Sequence, residues 1–117
     1  MCLLRDDSIT ITGNKVWKKL LISKERLVSS LYDYWWVPGW NIANLQPEDT
    51  TEIVNYGFHV HLKRPRPQGK IVIVEFTFEK KDLIAVGRHS QTREKQAVFK
   101  RLHLSKEEYL RVISLRT

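Results

Sequence analysis

Apolar and polar residues alternate most clearly in two runs near the middle of the chain. In residues 52–63, Val54, Tyr56, Phe58, Val60 and Leu62 share one side of an extended strand, and Asn55, Gly57, His59, His61 and Lys63 share the other. In residues 70–81, Val72, Val74, Phe76 and Phe78 form the apolar face, with Ile71, Ile73, Glu75, Thr77 and Glu79 opposite. The pattern predicts two strands joined by residues 63–70 into an antiparallel hairpin with one oily face. Ser8-Ile9-Thr10-Ile11-Thr12 reads as a strand and Gly13-Asn14 as a turn. Residues 15–22 fit either the returning arm of a hairpin or one face of a helix. Residues 82–88 read as a further strand, and 96–104 as a strand or as a helix capped by Thr92.

Two segments carry helical spacing. Ser23 stands as an N-cap before Leu27, Leu31, Tyr34 and Trp35, which fall at i, i+4, i+7 and i+8 and predict a helix over 24–36, stopped by Val37-Pro38-Gly39. Residues 40–51 have no period and read as a long loop. Ser105 followed by Glu108 matches a capping box, and Tyr109, Leu110, Val112 and Ile113 supply the apolar stripe of a terminal helix over about 106–115. The expected architecture is α+β: one domain spanning 1–117, an antiparallel sheet of four to six strands, and both helices packed on its apolar face.

Composition narrows the class. With 117 residues, 42% hydrophobic and 28% charged, the chain can build one compact core and is too apolar for a disordered segment. The longest uncharged stretch, residues 34–47, is interrupted by Pro38 and Gly39, so no transmembrane helix and no membrane partner are expected. Cys2 is the only cysteine, which excludes an internal disulfide and a multi-cysteine zinc site. The N-terminal residues lack a basic region followed by a long apolar run, so a cytoplasmic location is expected.

Charge changes the functional picture. The net charge is +7, and the excess lies entirely in the second half: residues 1–62 hold six Lys/Arg against seven Asp/Glu, residues 63–117 fourteen against six. A basic surface of this kind attracts polyanions and releases their condensed counterions. The leading reading is a non-enzymatic, phosphate-directed module for DNA or RNA with weak sequence selectivity. Its contact residues are Lys63, Arg64, Arg66 and Lys70 in the Pro-rich 63–70 loop, followed by Arg88, Arg93, Lys100 and Arg101. The alternative is a protein-interaction, inhibitor or homodimerisation module. It uses the aromatic run Tyr32, Trp35, Trp36 and Trp40, whose side chains one helix face cannot all bury.

Other chemistry is weaker. His59 and His61 share a strand face at ligand spacing, but nothing selects a third ligand, so they read as solvated histidines and neither metal nor cofactor is expected. Glu79 and Lys81, with Glu75 on the same face, resemble a nuclease strand end only as a bare spacing; an upstream carboxylate such as Asp49 or Glu52 would have to complete it. No Gly-rich phosphate loop and no nucleophile motif is present.

Overall fold

The computed structural model describes residues 3–29, 34–43, 53–54 and 57–115. Among these residues it contains eleven strands, one 3-10 turn and one α-helix. The strands are β1 (Leu3–Arg5), β2 (Lys15–Ser23), β3 (Arg26–Ser29), β4 (Trp35–Trp36), β5 (Gly39–Ile42), β6 (Ile53–Val54), β7 (Phe58–His61), β8 (Val72–Thr77), β9 (Leu83–His89), β10 (Lys95–Phe99) and β11 (Arg101–Leu104), and the helix is α1 (Lys106–Ser114). All ladders are antiparallel, in the order β5-β11-β8-β2-β7-β10-β9-β1-β6, with β3 on β2 and β4 on β3.

The order contains a ring. β10 and β11 are separated only by Lys100, yet they occupy places four steps apart, so β10-β7-β2-β8-β11 returns to the same stretch of chain. Inward and outward positions change parity across the corner: Ala97 and Phe99 enter the core before Lys100, Leu102 and Leu104 after it. Asp82 holds this corner. Its carbonyl accepts from the Lys100 N–H at 2.8 Å, and its buried carboxylate takes Nε and Nη2 of Arg101, each at 3.0 Å. A bulge between β9 and β10 at Val98/Phe99 adds to the bend. Two joints of the ring are single bridges, Trp17↔His61 and His103↔Thr77. Val16, Leu20, Phe58, Val60, Val74, Phe76, Ala97, Phe99, Leu102 and Leu104 fill the inside with Trp36, and Ile9 is buried against them.

The expected sheet is therefore real but larger, and several assignments change. Residues 8–12 form no strand; Ile9 and Ile11 still turn inward from an irregular segment. The predicted helix over 24–36 is absent: Lys24 and Glu25, both at positive φ (51° and 63°), make a tight turn that pairs Ile22 with Leu27, and Ser23 pairs with Arg26 instead of capping a helix. The start of the predicted 40–51 loop belongs to β5. The ambiguous 15–22 and 96–104 segments are strands. β7 and β8 are not a hairpin, because β2 lies between them and both run antiparallel to it. Residues 63–70 carry the chain the length of the ring, as parallel strands require.

The terminal helix forms as expected, and Ser105 Oγ accepts from the Glu108 N–H at 3.0 Å. Val112 enters the core with Tyr109 and Ile113 packed against it, as the stripe predicts, whereas Leu110 is exposed, and the helix also covers a sheet edge. β11 leaves β8 after one bridge, and α1 continues along the vacated edge: Glu108 Oε2 accepts from the Glu75 N–H at 2.8 Å, and Arg111 Nη2 donates to the Ile73 carbonyl at 3.3 Å. The two side chains also pair with each other, Nε to Oε1 at 2.7 Å. An edge that would otherwise offer free backbone groups is covered. Burial raises the Glu108 carboxyl, and its hydrogen bonds from Arg111 and the Glu75 N–H outweigh this, leaving it below its ordinary 4.5.

Lys18 faces the ring interior. It shares parity with Val16 and Leu20; its Nζ donates to the His59 carbonyl at 2.6 Å and lies 5.6 Å from the Trp36 ring. It stands where the β2–β7 ladder has shrunk to one bridge. Burial lowers its pKa from 10.5 to about 8.

Two outcomes follow from these polar contacts. Glu108→Ala leaves the Glu75 N–H without its acceptor and should cost about 1–3 kcal/mol in denaturant melts, with Glu108→Gln recovering part of it; an unchanged midpoint refutes the edge-covering role. For Lys18, the native protein releases its proton near pH 8 and the unfolded chain near 10.5, so in that window the unfolded state binds more protons and stability rises with pH. The stability difference from Lys18→Met should therefore move in the wild type's favour across that window, and a flat difference refutes the buried-cation assignment.

Candidate nucleic-acid interface

The antiparallel ring gathers one set of strand ends. The start of β2, the end of β7 and the start of β10 meet at one mouth, and the 10–12 segment crosses beside them. They enclose an open cleft of about 450 Å³ with Ile11 and Leu62 as its apolar part and the hydroxyl-bearing Thr10 and Thr12 beside them. Lys15, Lys63 and Lys95 supply three cations and Glu94 the one carboxylate. Arg88 faces Lys95 directly across the β9–β10 ladder and places a further cation beside the mouth. Arg88 is steadied by Asp6 at 3.7 Å and by the Arg93 carbonyl, to which its Nη1 donates at 3.2 Å.

Behind the cleft runs a cross-strand row on the outer face: Glu75, Trp17, His61, Gln96 and Gly87. Glu94 joins row to cleft, because its carboxylate is hydrogen-bonded to His61 Nδ1. The histidine pair was expected to be solvated; His59 and His61 are instead 9% and 8% exposed. Burial lowers the His61 pKa below 6.5; Glu94 pulls it upward, and Lys19 and Lys18 push it down. Burial thus favours the neutral imidazole, and Nδ1–H donates to the Glu94 carboxylate, which can only accept. Trp17 Nε1 and Gln96 Oε1 in the same row have no hydrogen-bond partner among the described residues. A Cβ at Gly87 would lie 2.0 Å from the Leu4 carbonyl oxygen, so this row admits only glycine where β1 crosses it.

A parallel row starts at the aromatic segment. Trp40, His103, Thr77 and Lys15 are direct cross-strand neighbours on the outer face of β5, β11, β8 and β2. Asn41 fixes the turn that presents Trp40: its buried amide donates to the Val37 and Gly39 carbonyls at 2.9 and 3.2 Å and accepts from the Val37 N–H at 3.1 Å. Gly39 takes φ 100° there, in the left-handed region. Trp40 is 40% exposed, with Arg101 4.2 Å from its ring centre and His103 5.1 Å.

The eight basic residues read from the sequence therefore divide. Lys63, Arg88 and Arg93 stand at or beside the mouth, joined by Lys15 and Lys95. Arg64, Arg66 and Lys70 are exposed along the connection away from it. Lys100 and Arg101 sit at the opposite end of β10, and Arg101 is engaged by Asp82 and Glu79. Lys95 belongs to the second basic group of the sequence, beside Arg93, without being singled out as a contact, and Lys15 lies outside the basic half; only strand pairing brings the two together.

The aromatic residues divide as well. Trp36 is a core ring, 2% exposed, its Nε1 donating to Ser29 Oγ at 3.0 Å. Trp35 points the other way, 59% exposed under the Arg26 guanidinium at 4.0 Å. Tyr32 lies outside the described residues. For the nuclease reading, Glu75 contacts Lys15 at 3.9 Å and Glu79 contacts Lys81 at 3.3 Å, while Asp49 and Glu52 fall outside the described residues. Among the described residues, no group of three His, Cys, Asp or Glu could hold a metal ion, and no helix is long and apolar enough to cross a membrane.

Comparison of the chain with protein-family models, with curated proteins and with solved structures gives no match in any of the three.

The opposite surroundings of the two indoles set an outcome. Trp36→Ala should destabilise the protein by about 3–5 kcal/mol, whereas Trp40→Ala should stay within about 1 kcal/mol of wild type in the same thermal melts. Equal losses would place Trp40 in the core and remove it from any interface.

Proposed function

We propose that this protein is a small nucleic-acid-binding module whose contact is chiefly electrostatic. The observation that carries the reading is the Trp40–His103–Thr77–Lys15 row, which links an exposed indole to the three-lysine cleft. Three strand spacings, roughly 14 Å, separate its ends. The basic half and the aromatic segment, distant in sequence, thus share one outer surface. Lysines in the cleft take phosphates and the open side of Trp40 stacks an unpaired base, which contributes about 1–3 kcal/mol. Arg64, Arg66 and Lys70 add non-specific attraction along the connection.

A second reading rests on Trp35, Val37, Trp40 and Ile42, large apolar side chains that are all exposed around β4 and β5. β5 also ends the strand order. Such a surface suits a protein partner or a second copy of the chain.

Fluorescence titration with short single-stranded and duplex DNA and RNA, at about 50 and about 200 mM salt, separates the two. Binding should fall steeply with salt. Lys15→Ala/Lys63→Ala/Lys95→Ala should lower the slope of log K against log salt by about two to three. Trp40→Ala should weaken single strands more than duplex. Absence of binding at the lower salt refutes the nucleic-acid reading, and a dimer in light scattering that Trp40→Ala dissociates would establish the second.

A further inference from the structure

The mouth of the ring differs from a general phosphate surface in three respects: it is a cleft instead of a face, its cations come from three separate strand ends, and it contains one carboxylate held from behind. Lys15, Lys63 and Lys95 against Glu94 leave the lining with two net positive charges, and the groups just behind it offset each other, Glu75 3.9 Å from Lys15 and Arg88 across the ladder from Lys95. An internal phosphodiester carries one negative charge, whereas a terminal phosphomonoester carries about −1.5 to −2 at neutral pH and three acceptor oxygens. The lining therefore matches a terminal phosphate and overcompensates an internal one. At about 450 Å³ the cleft also has room for the sugar attached to that phosphate.

We propose that this cleft captures the phosphorylated end of a nucleic-acid strand. The proposal rests on the nucleic-acid reading above and names its ligand. Lys15, Lys63 and Lys95 hold the terminal phosphate oxygens, the Thr10 and Thr12 hydroxyls are available as further donors, and the next bases extend along the outer row towards Trp40. Glu94 opposes the anion. His61, donating from Nδ1 to its carboxylate, is a positioning residue that ties this opposing charge to the wall. The one acid in the cleft thereby limits how tightly the cations grip a bare anion.

The test measures anisotropy of one labelled single strand with either a phosphate or a hydroxyl at the free end, using wild type, Lys63→Ala/Lys95→Ala, Arg66→Ala and Glu94→Gln. Wild type should prefer the phosphorylated strand by about tenfold or more, the worth of one additional charge-assisted contact. The preference should disappear in Lys63→Ala/Lys95→Ala. It should survive in Arg66→Ala, which lies outside the cleft and weakens both strands alike through its non-specific attraction. Glu94→Gln keeps an acceptor for His61 and should tighten the phosphorylated strand further. Equal affinity for both ends overturns the proposal while leaving the nucleic-acid reading standing, and failure to bind either strand overturns both. A nucleoside monophosphate that binds as tightly as the phosphorylated strand would show that the cleft serves a free nucleotide, which also overturns the strand-end assignment. Melting curves identify any variant that lost the mouth by unfolding, and Lys63→Gln/Lys95→Gln then replaces it with the long side chains retained.

Discussion

A buried carboxylate determines how this sheet closes. Asp82 binds the Lys100 N–H through its carbonyl and Arg101 through its side chain, at the point where one strand must serve two neighbours. At that corner the inward parity passes from Ala97 and Phe99 to Leu102 and Leu104. With it, a chain of short strands becomes a closed circuit with a single interior. The arrangement also explains why Arg101 is a poor candidate for a free phosphate contact, although it lies in the basic half: its guanidinium is engaged by Asp82 and Glu79 and lies against Trp40.

Closure by single bridges leaves backbone groups to satisfy, and side chains meet that need. Lys18 donates to the His59 carbonyl where β2 and β7 separate. Glu108 and Arg111 serve the β8 edge where β11 departs. A buried ammonium is costly, and its lowered pKa is the mark of that cost. That cost is offset in part by the hydrogen bond to the His59 carbonyl and by the Trp36 ring 5.6 Å away.

The functional surface is a consequence of the same topology. Antiparallel neighbours alternate in direction, so the ends of β2, β7 and β10 gather three lysines that are far apart in the chain. The aromatic run is sorted by the alternation of a strand. Trp36 turns inward to Phe58 and Phe76, with ring centres 4.5 and 4.8 Å away, and its neighbour Trp35 must turn outward. Trp40 reaches the outer row through the turn that Asn41 braces.

Local patterns made several elements legible from residues alone. The inward positions Val72, Val74 and Phe76, the inward positions Phe58 and Val60, and the helix opened by Ser105 all depend on spacing within one segment, and the structure retains them. The division of charge between the halves is likewise a property of the chain. Partner choice was not legible. The 24–36 segment carries helical spacing, but a turn with Lys24 and Glu25 at positive φ has no Gly or Asn to announce it. The 63–70 connection looks like a hairpin loop until β2 takes the place between its strands, and the exposure of His59 and His61 depends on that long-range pairing. A sequence by itself determines which faces are apolar and where charge accumulates, because these are sums over local residues. Which strands meet, and so which lysines share a cleft, is decided only when distant segments compete for the same hydrogen-bonding edge.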